Sequence, residues 1–503
     1  MTGNKRNLQF SRFLAFMSIA TAAWLTLFPF VFSKNIDPEA GHIVFYLKRW
    51  GEFYSFDFVA NIFFFIPLGF SLTYFFRIRS FRREYAIFLS FITCLILSVM
   101  VETLQIYLPS RYTSLMDVLS NVIGGALGSY AWFWKGNGLK HKILHLSVAG
   151  EMYLKRPAVQ KWAWALIFLL ILFLIPMTKR TTFTNWNPDY PVVIKNEKTG
   201  DRFWKGRIKE MHLFSKADFE NLEPDTASAG TSNPAHLMTF RNSSSDSRTD
   251  ARRSIIDNTL INKSEGEKKW LESRDPATAV NRKIIETNQI AFTATVATSD
   301  TAQAGPARIF SISTNPYLRN FTIGQEAHAL VVRLRTPLTG ENAMKPEYKI
   351  EGVFADTAWH TIDVRYNGSI LSINVDGGAA EMEQFFSPGT AFYGLFFNTH
   401  PKSAFGYVLI YLMLIALPLG IISSVLFNGP GHFWRMIILS LLTGALIEFL
   451  SMTTAVREPL YPHIFYFAAI CILTYVLSRH YLVLANALVE HTHCRNTRRL
   501  SKA

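Results

Sequence analysis

Hydrophobic positions follow two different patterns along this chain. Eight apolar stretches, each close to the length that crosses about 30 Å of hydrocarbon, lie at about residues 13–33, 57–76, 85–104, 113–134, 162–178, 404–427, 435–453 and 461–478. A polar region, residues 179–402, separates the fifth stretch from the sixth, and there the hydrophobic period changes to two. The pattern predicts a polytopic α-helical membrane protein of about eight transmembrane helices with an inserted all-β domain.

The clearest β signal is a hairpin. Residues 359–366 alternate apolar and polar side chains, Asn367 and Gly368 form a turn dipeptide, and the alternation resumes over residues 369–375. Flanking strands are predicted at about 289–298, 307–313, 319–324, 328–336 and 390–397. The stretch 223–255 is rich in Ser, Asp, Asn, Thr and Arg, which predicts a loop or linker.

Basic residues near the spans predict the orientation. Nineteen Lys and Arg lie in segments on the side of the termini, against five in the opposite short loops. Because Lys and Arg of short loops stay in the cytoplasm, we expect cytoplasmic termini, an inner-membrane location and an extracytoplasmic domain at 179–402. The net charge of +14 then reflects this bias and contact with anionic membrane lipids rather than a nucleic-acid partner.

These boundaries divide the chain into six segments. They are an N-terminal anchor helix at 1–34, a first membrane domain at 35–135, a cytoplasmic loop and fifth transmembrane helix at 136–178, the external domain at 179–402, a second membrane unit at 403–480 and a basic cytoplasmic tail at 481–503.

Two of the membrane segments repeat each other. FIPLG at 65–69 has a counterpart in ALPLG at 416–420, and Glu102 precedes Arg111 by the same spacing as Glu448 precedes Arg457. The second to fourth and sixth to eighth spans are therefore predicted to be two three-helix repeats in the same orientation. Parallel repeats of this kind often build a membrane site at their interface.

A polar cluster occupies the outer ends of the first repeat's spans. Its members are Asp57, Asn61, Glu102, Gln105, Arg111, Asp117 and Asn121, and the second repeat offers Glu448 and Arg457. Ionisable groups at membrane depth are expensive, so such a cluster is a functional-site hypothesis. Three interpretations stay open: interhelical hydrogen bonds, a polar or lipid-linked ligand held by Arg111, and catalysis.

The motifs of this repeat resemble a known family. NIFFFIPLG at 61–69, ETLQIYLPSR at 102–111 and SLMDVLSNVIGGALG at 114–128 are similar to VanZ-like membrane proteins. The resemblance implies a bacterial protein of the cell envelope, with a link to low-level resistance against a lipoglycopeptide antibiotic, and it implies no particular reaction.

The external region resembles a second family. WHTIDVRYNGSILSINVDG at 359–377 is similar to laminin G-like, concanavalin A-like jelly-roll sandwiches, although the strand at 204–214 that resembles their closing strand comes early. Such sandwiches often bind glycans, and some hold a calcium ion at one rim. The candidate residues are Trp359, Asp363, Asn374 and Asp376. A sugar site, a Ca²⁺ site and a purely structural role remain open.

Two functions follow as hypotheses. The first is a non-enzymatic envelope protein that contacts membrane lipids, engages a lipid-linked saccharide, exopolysaccharide or cell-wall component, and binds glycan through its external domain. The alternative is a membrane enzyme acting on polyisoprenoid-phosphate-linked sugars, with Glu102 or Asp117 as base and Arg111 binding phosphate. A transporter is disfavoured because the polar residues cluster in the outer leaflet alone.

Overall fold

A computed structural model describes most of the 503-residue chain. The described residues are 2–28, 32, 55–108, 114–217, 235–241, 253–344, 347–378, 380–396, 405–427, 429–457 and 459–500. The chain divides into two compact units. The first contains residues 1–169, 413–441 and 467–503, and the second contains residues 170–412 and 442–466.

Eleven α-helices are found within the described residues. They are α1 (Thr2–Leu27), α2 (Ser55–Ile78), α3 (Arg83–Gln105), α4 (Leu115–Leu154), α5 (Pro157–Leu172), α6 (Leu174–Lys179), α7 (Thr278–Thr287), α8 (Pro388–Phe396), α9 (Phe405–Leu426), α10 (His432–Ala455) and α11 (Tyr461–Leu500).

Seven helical segments in the part of the chain that the structure describes are long and apolar enough to cross a membrane. The span expected at 113–134 falls within α4, which is not among the seven. Its backbone leaves helical geometry at Lys135 and then continues as helix to Leu154, where a loop was expected from 136 onwards. The count of eight spans therefore stays a prediction.

The first repeat is held together by very close approach of α2 and α4. A Cβ added at Gly69 would lie 1.9 Å from the carbonyl oxygen of Gly125, and one at Gly128 would lie 2.0 Å from that of Ile66. The two backbones are thus in direct contact, which only glycine permits.

The second repeat reproduces this contact. A Cβ added at Gly420 of α9 would lie 2.7 Å from the carbonyl oxygen of Cys471 in α11. Gly420 and Cys471 are the positions that correspond to Gly69 and Gly125 in the sequence repeat. Both α2 and α9 also carry an internal proline, Pro67 and Pro418. The internal repeat is therefore also present in the packing.

The second unit contains a sandwich of two antiparallel sheets. Its strands are β1 (Val192–Ile194), β2 (Gly206–Phe214), β3 (His236–Arg241), β4 (Arg253–Ile255), β5 (Leu260–Glu265), β6 (Lys268–Ser273), β7 (Ile290–Thr298), β8 (Ala307–Asn315), β9 (Leu318–Glu326), β10 (Ala329–Leu334), β11 (Tyr348–Ile350), β12 (His360–Tyr366), β13 (Ile370–Val375) and β14 (Met382–Phe385). Sheet A has the order β11-β10-β9-β8-β1-β6-β5, and sheet B has the order β14-β13-β12-β7-β2-β3-β4. Buried residues of both sheets, among them Trp204, Phe292 and Phe310, form one hydrophobic core.

Two local predictions for this domain are wrong. The stretch 390–397 was expected to be a strand, but α8 (Pro388–Phe396) is helical there. A short apolar run does not distinguish a buried strand from a helix. Ser387 before Pro388 supplies an N-terminal cap, since its Oγ accepts a hydrogen bond from the Thr390 backbone at 3.1 Å.

The second wrong prediction concerns the Ser-rich stretch 223–255, which was expected to be loop. Its described residues include β3 and β4, of which β4 is an edge strand of sheet B. β3 is stabilised by pairing with β2, which lies inside the sheet between β3 and β7, and β4 is stabilised by pairing with β3. Strand pairing across the sheet outweighs a weak local preference.

The sandwich is attached to the end of a membrane-length helix within this unit. Asn288, in the left-handed conformation after α7, donates from Nδ2 to the carbonyl oxygen of Ala455 at 2.6 Å. Its Oδ1 accepts from the backbone of Phe183 at 2.9 Å. Asn288 thereby satisfies a carbonyl at the C-terminus of α10, a group that has no partner within its own helix.

Candidate binding groove and the polar membrane cluster

The outer face of sheet B contains a groove whose floor is the central strand β7. Phe292, Ala294 and Val296 are buried in the core. The alternate residues Ala291, Thr293 and Thr295 therefore face outward. Because these side chains are small, the surface is depressed between the larger side chains of β2 and β12. The depression has a volume of about 260 Å³.

Four larger polar side chains line the groove. Glu210 and His212 come from β2, and Asp363 and Arg365 come from β12. The register places Asp363 opposite Thr293, and Thr293 opposite His212. Residues far apart in the sequence thus form one row across three strands.

The charges of the groove are paired. Arg365 donates from Nε to both carboxylate oxygens of Asp363, each at 2.9 Å. Arg241 lies 3.7 Å from Glu210. Two carboxylates and two guanidinium groups leave no net charge, so the groove favours a polar neutral ligand over a polyanion or a polycation.

His212 is the buried member of this site. Its Nδ1 lies 3.1 Å from the hydroxyl of Thr239, which lies 2.7 Å from Nε2 of His236. The Nε2 atom of His212 has no hydrogen-bond partner among the described residues. Burial, followed by the nearby Arg241, lowers the pKa of His212 to about 4, so its ring is neutral at physiological pH.

Two of the four residues predicted in the external domain lie together. Asp363 lines the groove, and Asn374 is its cross-strand neighbour on β13. The Oδ1 atom of Asn374 is buried and has no partner in the described part of the chain. Trp359 lies outside the groove lining, with the guanidinium of Arg207 5.2 Å from the centre of its ring.

The fourth predicted residue, Asp376, is engaged by a histidine. Its carboxylate accepts from the Thr361 backbone at 2.8 Å and lies 2.8 Å from Nδ1 of His360, whose Nε2 lies 3.2 Å from Asp356. Burial acts to lower the pKa of His360, but the hydrogen bonds to Asp376 and Asp356 outweigh it and raise this pKa. The described His, Cys, Asp and Glu side chains form no group of three or more that could hold a metal ion. The calcium site stays a prediction.

In the membrane cluster, polar side chains bond to neighbouring helices. Asn61 of α2 donates from Nδ2 to Asp117 of α4 at 2.9 Å, and Asn121 of α4 donates to the hydroxyl of Ser98 in α3 at 2.9 Å. These are interhelical hydrogen bonds of the kind that stabilise membrane bundles. The Oδ1 atom of Asn121 is buried without a partner among the described residues.

The remaining members bond to backbone. Glu102 accepts from the backbone nitrogen of Ser114 at 3.1 Å, and Gln105 donates to the carbonyl of Thr26 in α1 at 2.8 Å. Arg111 and the side chain of Asp57 lie outside the described residues. A ligand or catalytic role for this cluster, including the enzyme alternative, therefore stays a prediction.

The second repeat contains an equivalent contact and an ion pair. Glu448 accepts from the backbone nitrogen of Leu460, twelve residues further on, at 2.7 Å, which is the spacing between Glu102 and Ser114. Arg457 donates to the same Glu448 oxygen at 2.6 Å. In both repeats a buried glutamate at the end of the middle helix thus fixes the start of the next one.

Sequence reasoning missed three of the groove residues, Glu210, His212 and Arg365. The polar alternation along β2 and β12 was the available signal, since it marks the outward positions of each strand. The sequence does not state that β7 lies between these two strands, and this neighbour relation creates the groove.

The fold defines a multi-pass membrane protein that carries a β-sandwich. Residues 5–136 match the family model described as VanZ/LLP1, so this part of the chain is a VanZ/LLP1 domain. The match includes α1 as well as the first three-helix repeat. No curated protein and no solved structure matches the chain in these comparisons.

Proposed function

We propose that this chain is a cell-envelope membrane protein whose sandwich binds a neutral saccharide of the envelope in the groove on sheet B. The observation that carries the proposal is the groove itself, which is lined by neutral His212, with its unpartnered Nε2, and by the paired Asp363 and Arg365. Concave sites with a few convergent polar groups are the usual form of small-ligand sites.

The chemistry of the groove suits a ligand rich in hydroxyl groups. A hydroxyl both donates and accepts hydrogen bonds, so it can satisfy a carboxylate, a guanidinium and an imidazole nitrogen in turn. A charged ligand would have to separate the existing ion pairs, which opposes its binding.

The C-terminal end of α10, which belongs to the same unit, supports this role by holding the sandwich. Asn288 joins it to the end of α10, and the Glu448–Arg457 pair orders the adjoining loop. The VanZ/LLP1 domain suggests a role in the envelope with a link to antibiotic resistance. We propose that the sandwich faces the extracytoplasmic side, where envelope saccharides are found.

The groove is tested by substituting His212. Full-length protein in nanodiscs would be titrated with a panel of neutral bacterial oligosaccharides, and binding followed by microscale thermophoresis. Losing a hydrogen bond from a buried group costs about 1.4 kcal/mol, which is a factor of ten in Kd, so we expect His212→Ala to weaken binding about tenfold. His328→Ala, which changes an exposed histidine in the turn between β9 and β10, is the matched control and should bind as the wild type does. Equal affinities in the two variants, or no binding to any saccharide, would contradict the proposal.

The orientation is tested by cysteine accessibility. Lys142→Cys and Met344→Cys would be made separately in a chain without its three native cysteines, since both positions are exposed. We expect a membrane-impermeant maleimide to label residue 344 in intact spheroplasts and to label residue 142 only after permeabilisation. The opposite pattern would place the sandwich in the cytoplasm and remove the basis of the saccharide proposal.

A further inference from the structure

A cluster of buried arginines lies on sheet A. Arg308, Arg319 and Arg333 come from the adjacent strands β8, β9 and β10, and their exposed fractions are 1%, 1% and 5%. They belong to the sheet opposite the groove and have no part in the proposed saccharide site. Arginine is rarely buried without a partner.

Two of these arginines have a carboxylate partner. Arg308 donates from Nε to Glu197 at 3.2 Å, and Arg333 donates from Nε to Glu347 at 3.0 Å. Glu197 is fully buried and also accepts a short hydrogen bond from the hydroxyl of Ser313. In each of these two ion pairs, the negative charge of the glutamate compensates the positive charge of the arginine.

Arg319 has no such partner. Two of its guanidinium nitrogens, Nε and Nη1, are buried and make no hydrogen bond to the residues that the structure describes. Burial, with Arg308 and Arg333 nearby, lowers the pKa of Arg319 to about 9, so the group still carries its charge at neutral pH. Three arginines share two glutamates, and one positive charge is left uncompensated by the described carboxylates.

An uncompensated buried charge is strongly unfavourable, whereas a paired one is tolerated. The planar guanidinium offers two parallel donors that match the oxygens of a carboxylate or phosphate. Further hydrogen-bonding groups adjoin it, since Ser313 lies opposite Arg319 on β8, and Thr322 lies between Ser311 and Arg333. The position therefore has the donors of an oxyanion site.

We propose that sheet A binds a small oxyanion, of the phosphate or carboxylate type, at Arg319, through the Nε and Nη1 groups that have no partner among the described residues. The most exposed member of the cluster is Glu347, whose side chain is 25% exposed. Because Arg319 is only 1% exposed, the site favours a small ion or a single acidic monosaccharide over a segment of polymer.

The test measures anion binding to the full-length protein in detergent, in a zwitterionic buffer of low chloride. Inorganic phosphate and glucuronate would be titrated separately against the thermal unfolding midpoint, with glucose as the neutral control. A ligand at a hundred times its Kd raises the midpoint of a domain of this size by about 5 °C. We expect a saturable rise of this size with phosphate, glucuronate or both, and none with glucose. The anion that raises the midpoint at the lower concentration identifies the natural ligand class, which is either a free phosphate or an acidic sugar.

The matched variants are Arg319→Gln and Arg282→Gln, the latter at an exposed position of α7. Arg319→Gln should abolish the saturable rise, and Arg282→Gln should retain it, which also corrects for the general effect of salt on stability. If Arg319→Gln does not fold, Arg319→Lys retains the charge without the planar fork and should bind about tenfold more weakly. A wild-type protein without a saturable response, or an Arg319 variant with an unchanged response, would overturn the proposal.

Discussion

Gly128→Ala is expected to lower the stability of the membrane unit by about 2–3 kcal/mol, the upper part of the range of about 1–3 kcal/mol for overpacking. The added Cβ would lie 2.0 Å from the carbonyl oxygen of Ile66. The obstacle is backbone of α2, so the two helices have to separate, and contacts along their whole interface weaken. The midpoint of heat-induced loss of the monodisperse peak, followed by fluorescence size-exclusion chromatography, measures the effect.

The same helix supplies the control. Gly138 also lies in α4, but no atom lies within 4 Å of an added Cβ there. Gly138→Ala should leave the midpoint unchanged or raise it, since alanine favours a helix over glycine by up to about 1 kcal/mol. Similar midpoints for the two variants would show that the close approach of α2 and α4 does not stabilise the fold.

Glu448→Ala is expected to destabilise the second unit by about 3–5 kcal/mol, because it removes the carboxylate that compensates the buried charge of Arg457. Arg457 would keep a side chain only 5% exposed and lose its 2.6 Å contact with Glu448. Leu460 would lose the acceptor of its backbone nitrogen as well. Thermal melting of the purified protein measures the change.

A double variant separates the ion pair from general packing. Glu448→Ala combined with Arg457→Ala removes both charges and should be more stable than Glu448→Ala alone. Glu351→Ala is the matched control, since its side chain is 74% exposed and lies 3.3 Å from Lys349, which is itself 39% exposed. Solvent-exposed ion pairs contribute little to stability, so this variant should have the same melting temperature as the wild type. A double variant no more stable than Glu448→Ala would show that the pair is not the source of the loss.

The two membrane repeats were predictable because their signals are local. Long apolar stretches, an internal proline and a glutamate before the next helix are read directly from the chain. The structure adds that Gly69 and Gly420 make equivalent contacts and that Glu102 and Glu448 accept from equivalent backbone nitrogens.

The hairpin at 359–375 was predictable for the same reason. Alternation with period two and an Asn-Gly turn determine its register, which β12 and β13 follow. The stretch 390–397 shows the limit, because an apolar run of that length fits a strand or a helix and the neighbouring Ser387 and Pro388 favour the helix.

By itself the sequence determined the membrane helices, their repetition, the presence of a β domain and the outward positions of its strands. The tertiary structure alone decided which outward side chains meet. His212 and Asp363 lie close together because β7 separates β2 from β12, and Arg319 joins Arg308 and Arg333 because β9 pairs with β8 and β10. Periodicity is a property of neighbours in the chain, whereas a site depends on strand order, which is set by the burial of the whole core.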